Sequence, residues 1–158
     1  MNKGEYTILE AEILKQKELI LRVFESIIEL SSKEKLEREQ VESLGYRLHN
    51  LYCAWEDLFL IVARHFENHI EDKSRYHSEL LSRMSLDIPG IRPALLDASS
   101  SRILDELRGF RHVFRHAYGV ELDIRKIRII IDDLNNQHNK TINQINTFLE
   151  KIKSNLKE

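Results

Sequence analysis

Residues 41–62, VESLGYRLHNLYCAWEDLFLIV, decide the fold. Val41, Leu44, Leu48, Leu51, Trp55, Leu58 and Val62 recur at steps of three and four, the spacing that gathers apolar side chains on one face of an α-helix. The stripe predicts a long amphipathic helix reaching about His69. Upstream, Tyr6, Leu9, Ile13, Ile20, Val23, Ile27 and Leu30 follow the same rhythm, with Gln16 as the only polar break. Between the two, Ser31-Ser-Lys-Glu34 reads as a capping box at a new helix start, where a hydroxyl and a carboxylate satisfy free amide donors.

Downstream, a shorter helix is expected from about Ser74 to Met84 on Leu80, Leu81 and Met84. Asp87-Ile-Pro-Gly-Ile-Arg-Pro93 is the clearest break, because Pro89 and Pro93 lack amide donors and Gly90 tolerates a turn. Pro93 is expected to open a short helical turn, and Ser99-Ser-Ser101 to cap the next helix. That helix is expected to bury Ile103, Leu107, Phe110 and Phe114 and to stop near Gly119. Asp123 is the expected cap of a last helix. Its stripe runs Ile124, Ile127, Ile131 and Leu134, slips at His138–Thr141, and resumes with Ile142, Ile145, Leu149 and Ile152. Only five Gly and two Pro punctuate 158 residues, which suits long helices better than short strands. The expected fold is all-α, an up-and-down bundle of about five helices forming one domain over residues 1–158.

Composition excludes several classes. No apolar run approaches the roughly 20 residues that span a bilayer, and the N-terminal MNKGEYTILEAEIL carries acids where a secretion signal has a basic and then an apolar region. The chain is read as cytoplasmic, without a membrane partner. Cys53 stands alone, so there is neither an internal disulfide nor a thiolate pair for a metal; it reads as a small core residue. Gly-x-Ser-x-Gly elbows and Gly-rich phosphate loops are absent. His65 and His69, and likewise His112 and His116, lie four apart, but neither pair encloses the glutamate of a zincin helix. No glutamate stands three residues before a histidine, as di-iron bundles require. No metal and no cofactor are expected, and His65 and His69 read as polar or half-buried positions at a helix end.

The formal charge is −2, which argues against wholesale capture of nucleic acid. Between residues 102 and 128, however, seven bases (Arg102, Arg108, Arg111, Arg115, Arg125, Lys126, Arg128) outnumber four acids (Asp105, Glu106, Glu121, Asp123). Such a local patch can hold a phosphate backbone at one place. At its centre is Phe110-Arg-His-Val-Phe-Arg-His-Ala-Tyr118. Phe110, Val113, Phe114 and Ala117 are expected to face the core, leaving Arg111, His112, Arg115, His116 and Tyr118 outside. At 100° per residue, Arg111 and Tyr118 share a face, whereas Arg111 and His116 stand about 140° apart. Either the helix ends before His116 and the turn brings it round, or a second chain supplies the missing neighbour. Read alone, the cluster is also what a solvated basic face near a helix C-terminus looks like.

Arg111-x4-His116-x-Tyr118 resembles the Arg-x4-His-x-Tyr signature of HEPN-superfamily ribonucleases, specifically the HepT-like toxins paired with minimal nucleotidyltransferase (MNT) antitoxins. The flanking Leu104–Gly119 text resembles that family too, as do Trp55-Glu-Asp-Leu-Phe59, His77-x-x-Leu-Leu81 and Ile88–Pro93, so the likeness runs from about residue 40 to 130. It implies a HEPN-like bundle and a metal-independent endoribonuclease acting as a homodimer, with one motif from each chain in a shared cleft. Carried onto this sequence, Arg111 and His116 are the catalytic pair and His112 fills the polar position after the arginine. Tyr118 is the residue to which the antitoxin attaches AMP. Arg108 and Arg115 are the candidates for holding RNA backbone. The alternative is a catalytically silent HEPN-like subunit that presents nucleotide or RNA to a transferase partner; a dimerisation bundle without ligand is the third reading.

Overall fold

In a computed structural model, which describes residues 1–67, 76–116 and 121–156, the chain forms five helices. They are α1 (Lys3–Ser31), α2 (Arg38–Phe66), α3 (Tyr76–Met84), α4 (Ala98–His116) and α5 (Ile124–Ser154). Among the described residues there is no strand, only one antiparallel bridge between Ile88 and Arg92. The fold is an all-α bundle.

The apolar stripes explain the packing. Leu9, Ile13, Ile20 and Ile27 of α1 and Leu44, Leu48, Leu51 and Leu58 of α2 are buried to 1% or less, each worth about 1.5–3 kcal/mol relative to exposure. The short 32–37 connection forces α1 and α2 to run antiparallel, and polar crosslinks record the register. Gln16 donates to the Ala54 carbonyl at 2.8 Å, and His65 lies 2.9 Å from Glu12. α2 touches all four other helices, whereas α1 and α4 lie across the bundle from each other. α5 runs antiparallel to both α1 and α4: Phe24 stacks on His138 with ring centroids 3.7 Å apart, and Thr141 donates to Ser100 at 3.0 Å across a buried contact. The expected slip of the last stripe falls at these residues, where polar side chains occupy inward positions.

Helix boundaries differ from expectation in four places. Ser31 and Ser32 do not open α2; their hydroxyls donate back to Ile28 and Glu29 carbonyls at the end of α1. The capping box is instead Glu37 with Gln40. α4 is likewise capped before the serines, by Asp97, whose carboxylate accepts from the Ser100 amide at 2.8 Å and the Ser99 hydroxyl at 3.0 Å. Ser100 itself is fully buried. Pro93 opens no helical turn. α2 ends at Phe66, short of His69, which lies outside the described residues together with Ser74, Ala117, Tyr118 and Gly119. Asp123 caps α5 as expected, accepting from the Arg125 amide at 3.0 Å.

The break before α4 is a tight turn. Ile88 and Arg92 exchange both backbone hydrogen bonds, at 2.9 and 3.0 Å, around Pro89 and Gly90. Gly90 adopts φ of +79°, a conformation open to glycine without strain. Arg92 anchors the turn with a fully buried side chain that donates to Glu67 and to three backbone carbonyls. This anchoring sets the direction in which α4 leaves towards Arg111.

Candidate functional site

α4 runs antiparallel to α2, and Gly45 lets the two come close. A Cβ at position 45 would lie 2.9 Å from the Phe114 ring and 2.8 Å from Leu122. The C-terminal half of α4 is therefore laid along His49, Tyr52 and Cys53 of α2. Ile103, Leu104 and Leu107 are buried, while Phe110 and Phe114 are half-buried and in mutual ring contact at 6.1 Å.

Two orientations differ from expectation. Val113 does not face the core; it is 60% exposed. Arg111 does not stand wholly outside. It is half-buried, with its guanidinium carbon 5.7 Å from the centroid of the Tyr52 ring and its Nε shielded from solvent without a hydrogen-bond partner among the described residues. The cause is rotational: Arg111 stands four residues after the fully buried Leu107, only about 40° round the helix. His112, Arg115 and His116 are exposed as expected.

The helix continues through His116, so no turn carries His116 round to Arg111. Among the described residues no hydrogen bond or ring contact joins those two side chains within one chain. What the helix does pair is His112 with His116, edge to face, with centroids 4.6 Å apart. No group of three metal-binding side chains assembles there or elsewhere among the described residues. Arg108 is partly engaged, bonding Asp105 at 2.8 Å. Tyr118 lies outside the described residues.

Electrostatics around Arg111 involve α2 residues that the sequence did not single out. Burial, followed by the charges of Arg111 and Arg115, holds the His49 imidazole below its usual pKa of 6.5, so the ring is neutral at physiological pH. Burial, with Glu56 adding to it, pushes the Tyr52 phenol above its usual range. His49 Nε2 lies 3.7 Å from Sγ of Cys53, which is half-buried and not in the core proper. Glu56, a further helical turn along, pairs with His77 Nδ1 of α3 at 2.6 Å. The sequence signal for this row is the polar spacing His49, Tyr52, Cys53, Glu56 beside the apolar stripe of α2.

Among the described residues, one hollow of about 480 Å³ adjoins the Asp87–Pro93 turn and another of about 420 Å³ lies between α3 and α4. The described end of α4 presents His112, Arg115 and His116 to solvent, with the buried Tyr52 ring beside Arg111. It suits an extended polyanion better than an enclosed small molecule. Among the described residues, no helix is long and apolar enough to cross a membrane.

No curated protein and no solved structure is detectably similar to the chain. One family model does match, that of the HepT-like protein family, over residues 43–152. The match begins inside α2, takes in α3 and all of α4 with Arg111 and His116, and runs through most of α5, leaving α1 outside. Because it covers well over half of the sequence and the helical plan agrees, the chain belongs to the HepT-like family of the HEPN superfamily.

Proposed function

We propose that the protein is a metal-independent endoribonuclease toxin of a toxin–antitoxin pair, acting in the cytoplasm as a single HEPN-like domain whose site forms at a homodimer cleft. Arg111 and His116 are its catalytic pair, His112 supports His116, and Arg108 and Arg115 hold RNA backbone. The antitoxin is an MNT-type nucleotidyltransferase that attaches AMP to Tyr118. The observation that carries the reading is the arrangement on α4, within the HepT-like match. A guanidinium leans towards α2 and exposed imidazoles stand on another face of the same helix end. A phosphate meeting both groups is most simply served by two chains, each giving one.

The chemistry needs only these side chains. A histidine titrates near neutrality and can take the proton of a ribose 2′-hydroxyl. As the 2′-oxygen bonds to phosphorus, the bond to the 5′-oxygen breaks, and a proton passes to that leaving oxygen. A cyclic phosphate end and a 5′-hydroxyl end result. The Arg111 guanidinium offers two parallel donors to the phosphoryl oxygens, where charge builds in the transition state. AMP on Tyr118, two residues beyond His116, would place negative charge where substrate phosphate must sit.

Purified protein incubated with total RNA in EDTA tests this reading. Cleavage by the wild type and its loss in His116→Ala are expected. Equal background from both would reject the nuclease and favour the catalytically silent subunit. Co-expression with a candidate transferase should add the mass of adenylyl groups, and Tyr118→Phe should abolish that gain.

A further inference from the structure

Tyr52 is completely buried and its hydroxyl has no hydrogen-bond partner among the described residues. Two more side-chain atoms nearby share that condition, His49 Nδ1 on α2 and Arg111 Nε on α4. Buried polar atoms are bonded in more than nine cases in ten, so three in one place call for a cause. Apolar residues at 49 and 52 would fill the same space without leaving donors stranded.

The geometry supplies a cause. The Arg111 guanidinium carbon stands 5.7 Å from the Tyr52 centroid, within the range at which a cation is attracted to an aromatic face. The attraction grows when water is excluded, as it is around Arg111 Nε. His49 lies beside the same group, 5.9 Å from the Phe114 ring, within the fields of Arg111 and Arg115 from α4 and of Glu56 from α2, with Cys53 against its Nε2. A neutral imidazole fits there, whereas a charged one would be a third cation beside two arginines. A free arginine has several rotatable bonds to order before it can grip a phosphate, and a group fixed beforehand avoids that loss at the moment of reaction.

We propose that Tyr52 and His49 are positioning residues for Arg111, the Tyr52 ring carrying the guanidinium on its face and His49 flanking it beside Phe114. In consequence the α2–α4 contact, and not the α4 terminus alone, sets the reactivity of the site. The inference rests on Arg111 being the catalytic phosphate-binding group, but the placement itself can be read without any cleavage assay.

The test combines side-chain NMR of the full-length protein with RNA cleavage in EDTA. In wild type, the Arg111 Nε–Hε signal, assigned by its loss in Arg111→Lys, should exchange slowly with solvent. Tyr52→Leu should make that exchange fast and lower kcat roughly ten- to a hundredfold, with KM moving by less than about threefold. Tyr52→Phe, which keeps the ring and drops the stranded hydroxyl, should recover the protection and most of the kcat. His49→Lys, which fixes a charge next to Arg111 and Arg115, should expel the guanidinium and abolish the protection. A rapidly exchanging Arg111 Hε in folded wild type overturns the proposal whether or not Tyr52→Leu folds. So does a Tyr52→Leu or His49→Lys protein that keeps both protection and kcat. Protection as expected in a wild type that cuts no RNA supports the placement and counts against the nuclease reading.

Discussion

Glu67→Gln should be among the most damaging conservative changes in the chain. The Arg92 side chain is fully buried, and Glu67, 9% exposed, accepts from its Nε at 2.7 Å and from its Nη2. The remaining donors of Arg92 reach the carbonyls of Leu86 at 3.1 Å, Pro93 at 3.2 Å and Arg83 at 2.9 Å. Those carbonyls satisfy hydrogen bonds but cannot neutralise the charge. Removing one member of a buried pair costs about 3–5 kcal/mol, because the surviving charge is left uncompensated. Glutamine still accepts one bond, so about 3 kcal/mol is expected, a large part of the roughly 5–15 kcal/mol that holds a domain together. With a denaturant slope of about 2 kcal/mol per molar, urea unfolding followed by circular dichroism should show a midpoint lower by about 1.5 M. Glu42→Gln, which breaks the exposed pair with Arg38 (side chains 56% and 73% accessible), should move it by less than about 0.3 M. Equal shifts from the two substitutions, or a Glu67→Gln shift below about 0.5 M, would refute the reasoning that burial makes this pair matter.

Other expectations follow from the same geometry. Asp97→Ala removes the α4 cap and should cost about 1 kcal/mol at neutral pH by urea unfolding. Partial burial works to raise the Asp97 pKa, but donors from Lys140, Gln144, Ser100 and Ser99 outweigh it and hold the carboxyl well below its usual 3.8. Its contribution is therefore present above about pH 4 and fades as pH falls further, so the gap between wild type and Asp97→Ala should narrow in acid. His138, kept below its usual 6.5 by burial against Phe24, favours the neutral ring in the fold. The unfolded chain takes up that proton first, so stability is present above pH 6.5 and declines below it; His138→Gln should lessen the fall in urea midpoint between about pH 7.5 and 5.5, leaving the share of His49. Gly45→Val should lower stability by about 1–3 kcal/mol, since the clash with Phe114 and Leu122 exceeds the gain of roughly 0.3–0.5 kcal/mol in helix propensity. By pushing α4 off α2 it should also reduce RNA cleavage.

Most of the architecture was legible because it rests on periodicity. The stripes from Tyr6 to Leu30, Val41 to Val62 and Ile124 to Ile152 each became one helix with that face inward. Helix ends were harder to read. Ser31-x-x-Glu34 fits the start signature, but the same hydroxyls can bond back to carbonyls at a helix end, and Ser31 and Ser32 do so. Ser99 lay two residues past the true cap because Asp97 combines an amide donor from Ser100 with the Lys140 ammonium at 2.6 Å, a contact made only when α4 and α5 meet.

At the site, residue type misled where angle would have served. Apolar character points Val113 to the core, and charge points Arg111 to solvent. A helical wheel anchored on Leu107 instead places Arg111 beside the buried face. His49 and Tyr52 are marked in the sequence only as polar spacing beside the α2 stripe, and their nearness to Arg111 arises from tertiary contact with α4. The proposed pairing of Arg111 with His116 rests on the family signature alone, because the spacing sets the two groups on different faces of one helix.

The central claim, that one phosphate is gripped by Arg111 of one chain and His116 of another, can be tested by mixing two inactive proteins. Arg111→Ala and His116→Ala should each be folded and dimeric and each fail to cut RNA. Unfolded and refolded together at equal concentration, half of the dimers would be mixed. Each mixed dimer would carry one complete site and one doubly damaged site, so about a quarter of wild-type activity should return. No recovery from mixed dimers, with wild type active under the same conditions, would contradict the shared site.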